Sequence, residues 1–304
     1  MGDVLAVVEQ RDGKVRGVSQ EVVSAAARLA KGLGSGTEAL LLGGPGISER
    51  ASDLGRFGAG KVRVGEMDAL SDYHPEGYCR VVADAIRQGD YGAVVFAATT
   101  QGKDLAPRVA ALLDVPLASD VTGVEVEGDT VVATRPVFSG KAFSTVTFSA
   151  SPALVSIRPN VFAAQENPGA GEVETFSPQG VDPGSWKVRV KSFEAAGSGA
   201  KDVAEATMVV SGGRGIEDEE NIEVAQELAD AMGAVVSCSR PIVDAKWLEK
   251  SRQVGTSGQT VKPKVYLACG ISGSFQHLGG IKGSPFIVAI NKNLKAPIFQ
   301  VADV

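Results

Sequence analysis

Short apolar runs alternate with longer amphipathic segments through the first half of this chain, and that alternation most restricts its fold. The runs that predict strands are Val4–Val8, Ala39–Leu42, Val62–Val64, Ala93–Ala97 and Leu154–Ile157. The segments that predict helices lie between them, at Val22–Lys31, Ser48–Phe57, Glu76–Gln88 and Leu105–Leu113. This order predicts an α/β domain in which helices flank a mainly parallel sheet.

The pattern changes between Val121 and Phe148. Three short runs of alternating residues, at 124–126, 130–133 and 143–148, are separated by Gly-Asp and Ser-Gly turns. Turns of this kind join antiparallel strands. We therefore expect antiparallel strands added at one edge of the first sheet.

From Asn167 to Gly199 the chain is rich in glycine, proline, serine and glutamate, which is typical of a linker region. One short strand is predicted within it, at Lys187–Val190. This change in composition predicts two α/β domains. The N-terminal domain would cover residues 1–185, the linker 186–205 and the second domain 206–304.

A second alternation follows the linker. It predicts a helix at Asp218–Met232 and strands at Thr207–Val210, Ala234–Cys238, Val265–Ala268 and Phe286–Ile290. Ligands of parallel sheets bind beyond the carboxyl ends of the strands. We therefore expect one edge of the sheet to present the four segments that follow these strands, 211–215, 239–241, 270–277 and 291–292.

Composition argues against several functions. Of the 304 residues, 44% are apolar and 22% charged, the net charge is −6, and no block of five basic residues occurs, so no nucleic-acid surface is expected. No apolar stretch approaches the roughly 18 residues of a membrane span, and no targeting pattern opens the chain. We expect a cytoplasmic protein without membrane insertion. Three scattered cysteines and two histidines predict neither a disulfide framework nor a metal site.

Two glycine turns follow strands in the second domain: Gly212–Gly215, which contains Arg214, and Gly270–Ser274. Such turns direct backbone N–H groups toward a phosphate, here with His277 in the first turn of the helix predicted to follow. Arg240 and Arg214 would add positive charge at the same edge, which favours an anionic ligand. Taken alone, either arginine could be a solvated surface residue and the histidine a structural one. The GxGxxG fingerprint of ordinary NAD domains is absent.

Several longer segments carry these residues: Ser211–Gly215, Ser239–Arg240, Gln253–Gly255, Tyr266–His277, Ile287–Lys292 and Ala296–Asp303, with Gly102–Ala111 in the first domain. Together they resemble the electron transfer flavoprotein alpha subunit. The resemblance spans essentially the whole chain, and its C-terminal signature is highly specific.

The resemblance implies an electron carrier rather than an enzyme, so no catalytic residue is expected. The C-terminal domain would bind FAD, and a beta subunit would dock on the N-terminal domain to form a heterodimer. Electrons would pass from flavin dehydrogenases, such as the acyl-CoA dehydrogenases of fatty acid beta-oxidation, to a quinone-linked or other acceptor.

The resemblance also implies which residues bind FAD: Arg214, Ser239, Arg240, Val254, Gly255, Thr256, Ser257, Ser272, Gly273, Ser274, Phe275, Gln276, His277 and Asn291. The segment from Ser272 to His277 would wrap the pyrophosphate and the flavin edge, and Arg240 would lie beside the isoalloxazine ring. His277 would donate toward the flavin C2 carbonyl, where donors and cations stabilise the negative charge of the reduced ring.

Two departures from the family pattern modify these expectations. After Gly255, Thr256 replaces the glutamine of many members, while Ser257 keeps a hydroxyl able to reach flavin N5. The sequence ends at Val304, where the family continues into a final helix. Either a truncated chain or one FAD contact fewer is therefore expected.

Three alternatives stay open. The chain could belong to an electron-bifurcating flavoprotein complex that uses NADH. It could be an NAD-binding enzyme with a domain like that of deoxyhypusine synthase, although no catalytic lysine or proton-relay pair is evident. An adenine-nucleotide sensor in the N-terminal domain would lack a phosphate loop of its own, since Gly43–Gly46 is more typical of a turn.

Overall fold

Two units of alternating strands and helices form the chain in the computed structural model, which describes residues 2–192 and 203–304. The first unit comprises Met1–Val137 and Lys141–Lys191, and the second comprises Phe138–Gly140 and Ser192–Val304. The centre of the predicted linker, residues 193–202, lies outside the described residues.

The first unit contains the strands expected from its apolar runs. In chain order its strands are β1 Asp3–Val7, β2 Gln10–Arg11, β3 Lys14–Val15, β4 Thr37–Gly43, β5 Lys61–Glu66, β6 Tyr91–Ala97, β7 Leu117–Val121, β8 Gly123–Glu127, β9 Thr130–Val137, β10 Ala142–Thr147, β11 Ala153–Ile157 and β12 Glu172–Phe176. Its α-helices are α1 Val18–Leu33, α2 Pro75–Gln88 and α3 Thr100–Leu113. Short 3-10 helices lie at Ile47–Phe57, Asp68–Leu70 and Pro183–Ser185, and another, Phe138–Gly140, joins β9 to β10.

Seven of these strands form one sheet in the order β12–β5–β4–β1–β6–β11–β7, and all neighbouring pairs are parallel. Val4 and Ala6 of β1 pack in one apolar core with α1, whereas Leu5 and Val7 pack in another with α2 and α3. Because both faces are buried, this strand is apolar at successive positions rather than at alternate ones. The predicted parallel sheet with helices on both faces is confirmed.

The antiparallel strands predicted between Val121 and Phe148 are present, but they form a sheet of their own in the order β10–β9–β8. β7 ends at Val121, and the N–H of Thr122 donates to the Thr134 carbonyl at 2.8 Å. The chain therefore leaves the parallel sheet at this point and pairs with β9 instead.

The helix predicted at Ser48–Phe57 is a 3-10 helix, Ile47–Phe57. It approaches a neighbouring backbone closely, because a Cβ added at Gly55 would lie only 2.7 Å from the Cα of Gly171. The Ser48 N–H at its start is satisfied by the Glu66 carboxylate at 2.8 Å.

The strand predicted at Lys187–Val190 is wrong. The N–H groups of Lys187 and Val188 donate to the Glu76 carboxylate at 2.9 and 3.3 Å, and the Val188 carbonyl lies 2.9 Å from Nε2 of His74. Side chains of α2 and its N-cap thus take the backbone groups that a strand would need. By contrast, β12 lies within the region predicted as a linker and pairs with β5 along its whole length.

The second unit repeats the parallel arrangement on a smaller scale. Its strands are β13 Met208–Gly212, β14 Val235–Cys238, β15 Val265–Cys269 and β16 Ile287–Ile290. Its α-helices are α4 Asn221–Met232, α5 Arg240–Asp244 and α6 Phe275–Leu278, and its 3-10 helices are Val203–Glu205, Arg214–Ile216, Lys250–Arg252 and Pro297–Gln300. Helix α4 starts at Asn221, three residues after the predicted start, because the preceding residues form a turn.

The four strands pair in parallel in the order β14–β13–β15–β16, which confirms the predicted sheet. Its two outer edges are covered by the chain itself. Gln253 bridges Cys238 beside β14, and the Val304 carbonyl accepts from the Ala289 N–H at 2.8 Å beside β16. Within the described ranges, no helix has the length and apolarity required to cross a bilayer.

Gly102 provides a test of how closely α3 packs on the first sheet. A Cβ at this position would lie 1.7 Å from the Ala97 carbonyl oxygen at the end of β6. Since that oxygen belongs to a sheet backbone, we expect Gly102→Ala to lower the free energy of unfolding by about 1–3 kcal/mol or more, measured by urea unfolding. Gly60→Ala is the control, because its Cβ would meet only the Thr37 carbonyl at 3.5 Å. An equal loss in both variants would contradict the close packing.

Candidate functional site

The carboxyl edge of the second sheet brings together the four segments predicted to face it. The Gly215 N–H donates to the Gly270 carbonyl at 2.9 Å, and the Ser239 N–H donates to the Gly212 carbonyl at 2.9 Å. The Gly270 N–H donates to the Ile290 carbonyl at 2.8 Å. Each segment is therefore bonded to its neighbour just beyond the strand ends, and the predicted convergence is confirmed.

The turn after β15 depends on glycine at two positions. Gly270 has a φ of 66° and Gly273 a φ of 79°, values that side chains with a Cβ rarely adopt. A Cβ at Gly273 would lie 2.3 Å from the Ile298 nitrogen, and the Ser272 carbonyl accepts from that same N–H at 3.1 Å. The turn is thus pressed against the 3-10 helix Pro297–Gln300.

This turn contains backbone N–H groups that could donate to a ligand. Among the described residues, the five consecutive N–H groups of Ser272–Gln276 have no hydrogen-bond acceptor. A row of unpaired backbone N–H groups is a binding surface for an anion. The helix predicted to begin here is the single turn α6, so its dipole contributes little and the N–H groups of the loop provide the attraction.

Two other loops hold the turn in place. The Nδ2 group of Asn291 donates to the Ile271 carbonyl at 2.9 Å, and the Thr256 N–H donates to the Gln276 carbonyl at 2.9 Å. Gly255, with a φ of 136°, lies so close that an added Cβ would be 2.9 Å from the same Gln276 oxygen. The structure therefore places the loop after Val254 and the end of β16 directly against the glycine turn.

The remaining predicted residues differ in their exposure. The side chains open to solvent are Arg214, Arg240, Thr256, Ser257, Ser272, Ser274, Phe275 and Gln276. Asn291 is half-buried, and the buried residues are Ser239, Val254, Gly255, Gly273 and His277. The one ion pair of Arg240 among the described residues joins two exposed groups, Arg240 and Asp244, at 3.4 Å, so it costs little to break. Both arginines are thus free to meet an anion.

Two serine hydroxyls at this edge can still donate. Ser239 precedes α5, but its side chain makes no capping hydrogen bond. Oγ of Ser257 accepts from Nε2 of Gln253 at 2.8 Å, which leaves its own O–H proton unused. Gln253, buried at 4% exposure, is a supporting residue to which the sequence analysis assigned no role.

His277 lies inside the unit rather than at the open edge. Its ring is 3% exposed, and Nε2 lies 2.8 Å from Oη of Tyr266. Nδ1 is buried and forms no hydrogen bond with any described residue. Burial lowers the pKa of His277 to about 4, against an opposing effect of the Val254 carbonyl, so the imidazole is neutral at pH 7.

Tyr266 is the main residue that the sequence did not assign. It is fully buried in β15, and burial raises its pKa, while the hydroxyls of Ser211 and Ser237 act in the opposite direction. Those two hydroxyls are themselves buried and form no hydrogen bond within the described chain. One feature of the sequence could have identified this group: hydroxyl side chains occur within apolar strands, and a buried hydroxyl normally has a hydrogen-bond partner.

Comparison with known proteins identifies relatives along the whole chain. The family described as "Electron transfer flavoprotein domain" matches residues 4–180, and the family described as "Electron transfer flavoprotein FAD-binding domain" matches residues 202–282. The chain is 37% identical to the electron transfer flavoprotein subunit alpha of Thermoanaerobacterium thermosaccharolyticum, over 99% of this chain and 92% of that protein. It is 38% identical to the same subunit of Bacillus subtilis, over 99% and 91%. It is 35% identical to the LctC subunit of the lactate dehydrogenase (NAD(+),ferredoxin) of Acetobacterium woodii, over 98% and 72%.

The buried neutral histidine predicts a pH dependence of stability in the second unit. The pKa of His277 falls from 6.5 to about 4 on folding, so the unfolded chain binds a proton more readily. Its contribution to stability is complete above pH 6.5 and is lost as the pH falls toward 4. Between about pH 7 and about pH 4.5, we expect wild type to lose roughly 2–3 kcal/mol more than His277→Asn in urea unfolding. Equal losses in the two proteins would contradict the burial of a neutral ring.

Proposed function

The chain belongs to the electron transfer flavoprotein alpha-subunit family, and we propose on that basis that it is an electron carrier that works as a heterodimer with a beta subunit. FAD is its cofactor, in keeping with the FAD-binding domain matched at residues 202–282. The bound FAD supplies the ring that accepts and donates electrons, and the polypeptide supplies the binding surface and the charges around that ring. The second unit binds FAD, and the first unit docks the beta subunit.

The glycine turn after β15 is the observation that carries this proposal. FAD contains a diphosphate, and free backbone N–H groups such as those of Ser272–Gln276 are the donors that bind such an anion. The exposed guanidinium groups of Arg214 and Arg240 lie on segments of the same edge and suit the same charge. The residues present therefore fit FAD. Those that would hold it are Arg214, Ser239, Arg240, Val254, Gly255, Thr256, Ser257, Ser272, Gly273, Ser274, Phe275, Gln276, His277 and Asn291.

The polar side chains around this turn would also adjust the reduction potential of the flavin. Arg240 would favour the reduced ring by its positive charge, and Ser257 would offer the O–H proton that its bond to Gln253 leaves unused. His277 is neutral, so it would act as a hydrogen-bond donor rather than as a cation. Because Nε2 is engaged by Tyr266, that donor has to be Nδ1.

The direct test is to produce the chain together with its beta subunit and to record the absorbance spectrum of the purified complex. The visible bands of an oxidised flavin that bleach on reduction would support the carrier. A colourless complex, or one that retains a nicotinamide nucleotide instead, would refute it.

A substitution at Gly273 tests whether FAD binding depends on the backbone conformation of the turn. We expect Gly273→Ala to weaken FAD binding at least tenfold, about 1.4 kcal/mol, because a Cβ there strains a left-handed residue and meets the Ile298 nitrogen at 2.3 Å. FAD content is measured by absorbance in the purified heterodimer. Gly233→Ala is the matched control, since Gly233 has a φ of 65° at the end of α4 but nothing within 4 Å of its Cβ position. Equal FAD loss in both variants would argue against the turn as the binding site.

The first unit has one sheet edge suited to the beta subunit. β10 contains no charged residue, and no strand pairs with its outer side among the described residues. The other edge strands are protected by charged residues: β8 and β12 each contain two glutamates, and β7 contains Asp120, paired with Arg158 at 2.6 Å. The short strands β2 and β3 contain Arg11 and Lys14. An exposed, uncharged edge is a template for another strand. We therefore assign β10 to pairing with a strand of the beta subunit.

A lysine on β10 should weaken the heterodimer. Thr145 is exposed in the middle of this strand, so Thr145→Lys would put a charge where the partner strand pairs. We expect the dissociation constant of the two subunits to rise at least tenfold, about 1.4 kcal/mol, as measured by calorimetry. Thr175→Lys, at a site that is also exposed on edge strand β12, should leave the dissociation constant unchanged. Equal effects of the two lysines would exclude β10 as the docking edge.

For the redox partners, we propose flavin dehydrogenases such as acyl-CoA dehydrogenases as donors, and a quinone-linked or other acceptor. The relative from Acetobacterium woodii is named as a lactate dehydrogenase subunit, but electron transfer flavoprotein subunits are at least as similar, so the simple carrier is preferred. We also propose a cytoplasmic location, where the free thiols Cys79, Cys238 and Cys269 would suit a reducing compartment.

A further inference from the structure

The interior of the second unit contains a row of buried polar groups, and all but the last of them lie outside the proposed FAD site. Ser237 of β14, Ser211 of β13 and Tyr266 of β15 are all fully buried on adjacent strands. The row ends at His277, whose Nε2 lies 2.8 Å from Oη of Tyr266. Polar groups removed from water are costly unless they bond to one another, so their order calls for a physical account.

The surroundings of the imidazole determine where its single proton lies. A neutral histidine has one N–H, and a ring nitrogen that faces an acceptor keeps the proton. Of the two ring nitrogens, Nε2 lies 2.8 Å from the Tyr266 hydroxyl, and Nδ1 has no partner within the described chain. A phenol is a more acidic donor than an imidazole N–H, and an imidazole nitrogen is a more basic acceptor than a phenol oxygen. The favoured hydrogen bond of this pair therefore runs from the Tyr266 O–H to a bare Nε2, and the single proton of the ring lies on Nδ1.

The far side of Tyr266 agrees with this direction. The Oγ atoms of Ser211 and Ser237 are buried but form no hydrogen bond within the described chain, so neither accepts the phenol proton. Nε2 of His277 is the hydrogen-bond partner of Tyr266 Oη among the described residues. The phenol proton of Tyr266 is therefore directed at His277.

We propose that Tyr266 is a positioning residue that holds His277 in the Nδ1–H tautomer and thereby leaves Nδ1–H as the only donor of the ring. Without the phenol hydroxyl, the proton can move to Nε2, and Nδ1 becomes an acceptor. The effect on FAD rests on the proposed function, whereas the tautomer itself does not.

The second histidine of the chain is an internal reference. His74 accepts from the Gly77 N–H through Nδ1 at 3.4 Å and lies 2.9 Å from the Val188 carbonyl through Nε2. Its proton is therefore on Nε2, opposite to that of His277. Because the chain has two histidines, the two patterns can be assigned without ambiguity.

This proposal can be tested by NMR. The histidines of this chain are labelled with nitrogen-15, and long-range proton–nitrogen correlations are recorded in the FAD-bound heterodimer with an unlabelled beta subunit. We expect opposite tautomers for the two rings and loss of one pattern in His277→Asn. Tyr266→Phe should convert His277 wholly or partly to the Nε2–H form. Tyr78→Phe should not, because that buried phenol bonds to the Leu70 carbonyl at 2.8 Å in the first unit.

An Nε2–H tautomer of His277 in the wild type would overturn the proposal, and so would an unchanged tautomer in Tyr266→Phe. The tautomer observed in the wild type tests the proposal even if Tyr266→Phe does not fold. If the wild-type complex contains no FAD, the proposed function fails, but the tautomer of the labelled chain still tests the role of Tyr266.

The reduction potential of FAD gives a second readout that a merely structural role would not produce. Tyr266→Phe and His277→Ala should both lower the FAD midpoint potential, and the double variant should lower it no further than His277→Ala alone. Additive shifts would mean that Tyr266 does not act through His277, and would contradict its assignment as a positioning residue.

Discussion

The parallel pairing of β15 with β13 and β16 is the constraint on which the candidate site depends. Because these strands run in the same direction, their carboxyl ends meet at one edge, and every segment that leaves a strand there faces the same space. Hydrogen bonds continue the ladder beyond the strands, from Gly215 to Gly270 and from Gly270 to Ile290. The glycine turn is therefore held by the sheet before any ligand is present.

In the glycine turn after β15, backbone carbonyl groups accept hydrogen bonds, whereas the N–H groups find no acceptor among the described residues. The carbonyl of Ile271 is taken by Asn291, that of Ser272 by Ile298 and that of Gln276 by Thr256. The N–H groups of the same stretch have no partner among the described residues. A backbone segment that is satisfied on its carbonyl side alone attracts anions and disfavours cations. This asymmetry, rather than a helix dipole, accounts for the fit of a diphosphate, since α6 has only one turn.

Sequence patterns predicted the regular elements well where apolar periodicity was strong. The strands of both parallel sheets and helices such as α1 and α4 follow from it, since burial decides those elements. The prediction failed at Lys187–Val190, because the Glu76 carboxylate takes the N–H groups that a strand would use. The prediction also missed the pairing of β12 with β5, because the surrounding glycines and prolines are typical of a linker rather than of a strand. Contacts between residues distant in sequence decided both cases.

The residues of the proposed site could be named from the sequence: glycines at 270 and 273, arginines at 214 and 240, and a histidine one turn further on. Their family pattern also identified the cofactor. The direction of His277, by contrast, followed from packing in three dimensions. Its position in the chain permits a ring that faces the open edge or the interior, and the choice depends on Tyr266, which reaches Nε2 from inside the sheet. A buried imidazole is stable only with such a partner, so packing rather than spacing determines which nitrogen remains free.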